Sequence, residues 1–300
     1  MTAEIERRTI LAAALLAPAA ARAADPAPIK HWRHYANGRF GQVHFFSAGP
    51  ADDAAIKHPP LVCFHPSPTS GDIYREMVPY LATDRVVHCV DTPGFGGSDA
   101  PPAKPTMDDY GGAVADALSD LGYGLGGKGT LDLFGFHTGS LVAVATALSR
   151  PPLIRRIVLS GVPHYTPEER AKQRAQNVKG YPFFEEREYV PSLYRRLVLD
   201  GQDAGPIERR LARFADRMRA GPDGAWGADA VFTYDTGAAL PKLTMPVRLI
   251  AFNEMMTQPT RDAAKVIPGA SLVEMLDLPM FGFIVAPDRV AVEIRAFLDA

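Results

Sequence analysis

Near the middle of this 300-residue sequence an imidazole stands between two glycines, in Gly135-Phe136-His137-Thr138-Gly139. The apolar run 131–134 precedes it, and Leu141, Val144 and Leu148 follow at helical spacing, so the motif turns a strand directly into a helix. A turn that tight needs glycine where side chains would strike the neighbouring strand and helix, and it lifts the central residue to the helix N-terminus. Imidazole is basic yet largely uncharged at neutral pH, so His137 can take a proton from water or attack a carbonyl itself. It can equally line a pocket and hydrogen-bond a ligand without doing chemistry. Ser67, Ser70, Ser140 and Tyr165 offer hydroxyls, but none has a base beside it in sequence, and polar lining is their expected role.

Holding such a side chain in place requires a stiff frame, and the surrounding pattern is that of one. Short apolar runs at 61–64, 86–90, 131–134, 154–159 and 247–252 alternate with helix-period stretches, as parallel strands covered by helices on both faces do. Residues 42–46 alternate like a half-buried edge strand and can pair with 31–35 across Asn37-Gly38. Ile73, Met77 and Leu81 mark one helix. Tyr110, Val114, Leu118 and Leu121 mark another behind a Thr106-x-x-Asp109 capping box, and Val290, Ile294, Phe297 and Leu298 mark the last. Between 164 and 242 the rhythm stops, and a segment rich in Arg, Glu and aromatics is expected to form a helical cap. Its Tyr181, Phe183, Phe184, Tyr189 and Tyr194 either roof a pocket for an apolar ligand or pack on one another. The expected division is core 24–163, cap 164–242 and core 243–300.

With 47% apolar and 22% charged residues the chain can bury one full core. A formal net charge of −2 supplies no basic stripe for nucleic acid or an anionic bilayer, which leaves a small molecule as the expected partner. Residues 1–23 read as a targeting segment: Arg7 and Arg8 precede the apolar stretch 10–20, and Ala21-Arg22-Ala23 has the small-x-small pattern of a cleavage site. The stretch is too short to span a bilayer, so the expectation is a cleaved signal, no stable membrane insertion afterwards, and export to the periplasm. The arginine pair resembles a twin-arginine signal, although Glu6 departs from that motif; a general secretory signal is the alternative. Cys63 and Cys89 both lie in strand runs and read as buried thiols, a bridge between the two strands being the other possibility.

Four motifs in order resemble the α/β-hydrolase superfamily over essentially the whole chain after the leader. His65-Pro66-Ser67-Pro68 is similar to the family's oxyanion loop, and Asp91-Thr92-Pro93-Gly94-Phe95-Gly96-Gly97-Ser98-Asp99 to its turn after the fourth strand. Gly135 to Gly139 matches the G-x-S-x-G nucleophile elbow in all but its central residue. Ile267-Pro268-Gly269-Ala270 resembles the approach to the last strand. The resemblance implies an α/β-hydrolase fold, α/β in class, with a mostly parallel eight-stranded sheet, helices on both faces and an inserted helical cap. It also implies cofactor-free hydrolysis of a small, largely apolar carbonyl compound, an ester or lactone.

The family's Ser–His–acid triad does not map onto these residues. His137 stands where the serine belongs, and no histidine follows His164, so none can follow the eighth strand; Met280 stands at that position. The acid slot falls within Asn253-Glu254-Met255-Met256, most simply on Met255, with Glu254 one residue away. The family's oxyanion donors map onto the backbone N–H groups of Ser67 and Thr138, and Pro66 stiffens that loop without removing a donor. The family's strand order also brings His65 and His164 towards His137, with Glu254 after the adjacent strand. Three imidazoles with one open position can bind zinc, but the spacing does not show such a site, and no metal is expected. The family's oxyanion-loop histidine is usually a structural hydrogen-bonder, and His164 falls at the cap hinge. The reading is an exported, metal-free hydrolase with His137 as general base. A ligand-binding protein without catalysis, a cofactor-independent lyase of the hydroxynitrile-lyase kind and a metal-dependent enzyme are the alternatives.

Overall fold

A computed structural model describes residues 28–300 apart from 125, 179–180, 184 and 202–204. The leader reading over 1–23 and the aromatic Phe184 therefore lie outside the described residues. The eight strands are β1 (Ile29–Gly38), β2 (Gly41–Pro50), β3 (Leu61–Phe64), β4 (Val87–Val90), β5 (Leu131–Phe136), β6 (Ile154–Ser160), β7 (Val247–Asn253) and β8 (Ser271–Pro279). They form one sheet in the order β1-β2-β4-β3-β5-β6-β7-β8. β2 runs antiparallel to both of its neighbours, and every other pair is parallel.

The helices of eight or more residues are α1 (Met107–Asp120), α2 (Thr138–Ser149), α3 (Pro167–Asn177), α4 (Ile207–Ala220), α5 (Trp226–Thr233), α6 (Thr257–Val266) and α7 (Pro287–Leu298). Alternation along the central strands divides the core in two. Val62 and Phe64 join an apolar cluster with α1 and α2, while Leu61 and Cys63 join another with α7 on the opposite face. The capping box at α1 forms as expected: Thr106 accepts from the Asp109 N–H, and the Asp109 carboxylate accepts from the Thr106 N–H. Cys63 and Cys89 sit opposite each other on β3 and β4 as buried free thiols.

Two local expectations change. The hairpin turn lies two residues later than Asn37-Gly38, because Asn37 pairs with Gln42 and Gly38 with Gly41 inside the ladder, leaving Arg39 and Phe40 at the turn. Ile73, Met77 and Leu81 do not share one helix: a 3-10 turn over Gly71–Tyr74 is followed by a separate helical turn, Val78–Leu81. Pro79 explains the break, since its ring excludes an N–H and crowds the preceding turn, so it is tolerated only where a helix starts. All three side chains are nonetheless buried.

Candidate active site

The site is built on the turn between β5 and α2. His137 has φ 50° and ψ −121°, the one non-glycine positive φ among the described residues, a strained conformation that the surroundings must hold. They do so from several sides. The His137 N–H donates to the Ser160 carbonyl of β6 at 3.1 Å, and its carbonyl accepts from the Ser140 N–H at 2.9 Å and the Ser140 hydroxyl at 2.6 Å. The flanking glycines are required by close approach. A Cβ on Gly139 would lie 2.0 Å from the Phe64 carbonyl oxygen of β3, and one on Gly135 2.4 Å from the Gly139 carbonyl oxygen.

The imidazole itself is fixed on three sides. Its ring stacks on Phe136 with centroids 4.0 Å apart, and Phe136 is in turn buried among Phe252, Phe281 and Phe283. Its edge lies over Gly161, just after β6, where a Cβ would come within 2.2 Å of His137 Cδ2. Its Nε2–H donates to Glu254 Oε2 at 2.6 Å, with the His137 side chain 18% exposed and that of Glu254 2%. A carboxylate can only accept, so Nε2 carries a proton, and in the neutral ring Nδ1 keeps its lone pair. Nδ1 has no hydrogen-bond partner among the described residues.

Of the residues in the slot where the resemblance expects an acid, Glu254 is the one that bonds His137. The turn after β7 is closed by Thr257, whose hydroxyl accepts from the Glu254 N–H and lies within hydrogen-bond distance of the Phe252 and Glu254 carbonyls. That closure turns Glu254 inward and leaves Met255 outside, 77% exposed. The second carboxylate oxygen, Oε1, is buried without a hydrogen-bond partner among the described residues.

Above His137 lies a cavity of about 320 Å³, small for a ligand site. Its lower wall is made by Pro66, Ser67 and Thr69 after β3 and by Met280 and Phe281 after β8. Met280 and His137 thus line the same cavity. The backbone N–H groups of Ser67 and Thr138 have no acceptor among the described residues, and that of Thr138 belongs to the first turn of α2, where no intrahelical acceptor exists.

The other two histidines do not join the cavity lining. His65 is fully engaged: its Nδ1–H donates to the Pro66 carbonyl at 3.0 Å, and its Nε2 accepts from the Thr92 N–H at 3.0 Å. Burial holds its pKa below the ordinary imidazole value despite nearby Asp91. It ties the loop after β3 to the turn after β4. His164 Nδ1 pairs with the Thr236 hydroxyl at 2.9 Å, beneath the cap, and burial likewise lowers its pKa. Among the described residues no three His, Cys, Asp or Glu side chains converge as a metal site would require. Asp91 serves a structural role. It accepts from the Gly71 and Gly97 N–H groups at 2.7 Å and pairs with His44 at 2.8 Å, and these bonds outweigh burial and hold its pKa down.

The cap aromatics also resolve. Phe183 packs edge-on against Tyr181 and Tyr189, and Tyr194 edge-on against Phe214, so the rings satisfy one another and do not roof the cavity. Arg196, Arg213 and Arg217 line the cavity from the cap side, a feature that the sequence reading missed. The i, i+4 spacing of Arg213 and Arg217 on a helix was the signal available.

Comparison with known proteins agrees with this architecture. The profile of the alpha/beta hydrolase fold family matches residues 59–189. Over 140 residues the chain is 27% identical to the (E)-2-((N-methylformamido)methylene)succinate hydrolase of Acinetobacter baylyi, a match covering 46% of this chain and 49% of that protein. The chain therefore spans about half the length of this curated relative. Among solved structures, the enol-lactonase from Burkholderia xenovorans LB400 superposes with a TM-score of 0.71 at 20% identity, covering 89% of this chain and all of that one. An esterase from Exiguobacterium antarcticum superposes with a TM-score of 0.70 at 15% identity, covering 89% and 99%. Sheet order, elbow and neighbours together define the chain as a protein of the α/β-hydrolase fold.

Proposed function

We propose that the chain hydrolyses small esters or lactones, with His137 as general base and Glu254 as the group that orients it. The observation that carries this reading is the 2.6 Å bond from His137 Nε2–H to a buried carboxylate, which leaves Nδ1 as the basic nitrogen on a residue that lines the cavity. In this mechanism Nδ1 takes a proton from water as the oxygen adds to the carbonyl carbon. The Ser67 and Thr138 N–H groups receive the resulting oxyanion. The adjacent Glu254 carboxylate stabilises the imidazolium so formed, which returns its proton to the departing alkoxide as the carbon–oxygen bond breaks. The elbow thus carries the base itself, and no serine or second histidine is needed.

The names of the similar proteins, an enol-lactonase, an esterase and a succinate-derivative hydrolase, support hydrolysis as the class of reaction. The test is turnover of a chromogenic ester and lactone panel by wild type, His137→Ala and Glu254→Gln. Loss of activity in both variants is expected. Wild-type inactivity across the panel would move the chain to ligand binding or lyase chemistry. We also read the chain as exported on the strength of its first 23 residues. The N-terminal sequence of protein recovered from a periplasmic fraction tests that, with Ala24 the expected first residue.

A further inference from the structure

Among the described residues, every charged side chain that lines the cavity over His137 is an arginine of the cap. Arg213 and Arg217 are one helical turn apart on α4, and Arg196 comes from the turn Arg195–Leu199 that packs beside it. Arg213 is only 4% exposed, so this positive charge is held away from bulk water. The Arg217 guanidinium lies 5.6 Å from the Tyr181 ring centre. That contact orients the planar fork.

We propose that these arginines are a carboxylate receptor, so that the compound processed at His137 is a small organic acid in which the ester or lactone carbonyl and at least one free carboxylate lie within a few bonds of each other. The inference rests on the hydrolytic reading for the reacting group, but the anion site stands on its own residues. A cavity of about 320 Å³ has room for a short-chain acid. Guanidinium forks suit carboxylate oxygens by geometry as well as charge. The carboxylate also fixes where the carbonyl falls relative to Nδ1. The expectation of a largely apolar substrate is replaced accordingly, because the rings that suggested it pack on each other.

Two measurements separate this proposal from the reaction it builds on. In the first, succinate and glutarate are titrated calorimetrically into His137→Ala protein, which has no base, beside the same protein carrying Arg217→Met or Arg196→Met, with circular dichroism confirming each fold. Binding that weakens roughly ten-fold or more with each arginine removed is expected, the size of a charge-assisted hydrogen bond. In the second, kcat/KM of the wild type is compared on a monomethyl dicarboxylate and on the neutral methyl ester of equal chain length. A preference for the acid of about ten-fold or more, lost in Arg217→Met, is expected. Dicarboxylate binding without turnover would keep the anion site and sink the hydrolytic reading. Turnover of both esters at equal rates with no dicarboxylate binding would keep hydrolysis and overturn the anion site.

Discussion

His137 Nε2 lies 2.6 Å from Glu254 Oε2, joining the strained turn after β5 to the closed turn after β7 across 117 residues of sequence. The bond keeps a proton on Nε2 of an imidazole that has no second histidine to help it. If it orients the base, Glu254→Gln keeps the side-chain shape and removes the charge that stabilises the imidazolium. We expect kcat on a responsive ester to fall by about 10²-fold with KM little changed, and His137→Ala to abolish turnover. Equal kcat for Glu254→Gln and wild type would show that the carboxylate plays no part.

Gly161 is a sharper probe, because it touches the ring without sharing its chemistry. A methyl group there meets His137 Cδ2 at 2.2 Å, at a residue whose φ is +58°. Gly161→Ala should displace the imidazole and lower kcat at least as far as Glu254→Gln does. The cost in stability should be only on the order of 1–2 kcal/mol, read from urea unfolding. Retained activity in a folded variant would mean that the imidazole position is not critical.

Gly139→Ala should act differently, since its Cβ would meet the backbone oxygen of Phe64 at 2.0 Å and neither chain can move without opening the sheet. A loss of about 3 kcal/mol or more, or failure to fold, is expected; thermal melting gives the answer.

Stability should fall in mild acid through the buried histidines. Burial, with His34 and Lys128 adding to it, pushes the pKa of His88 down to about 3, while its ring nitrogens bond Ser47 and Tyr123. The unfolded chain takes up that proton near pH ~6.5, so between about 6.5 and 3 it binds more protons than the folded state. Stability must then decrease as pH drops through this window, by up to ~1.4 kcal/mol per pH unit for each such histidine. His65 adds to the effect in the same direction. Asp91 is affected later: its depressed pKa means that its stabilisation persists above the ordinary carboxyl value and goes only as pH falls through its own. Urea midpoints at pH 7.5 and 5 test this, and His88→Gln should flatten the slope.

The capping box at α1 gives a control remote from the site. Thr106→Ala removes the acceptor for the Asp109 N–H and should cost about 1 kcal/mol in urea unfolding with activity unchanged.

The sequence by itself determined the sheet and the elbow. Apolar runs such as 61–64 and 131–134 are strands because they must be covered on both faces. Two glycines around His137 mark a turn too tight for side chains, and a chain whose last histidine is His164 has none to offer after β8. These are local facts, readable from period, residue size and residue type. Tertiary structure alone decided which acid faces the imidazole, because Glu254 and Met255 differ by one residue and only the Thr257 closure of the turn sends the first inward and the second out. It also decided that His65 and His164 spend their nitrogens on Pro66, Thr92 and Thr236. Last, it decided that arginines face the cavity while the cap aromatics turn to one another. A side chain's partners depend on what the fold packs beside it, and within a cap that has no repeating rhythm the order of residues carries little of that information.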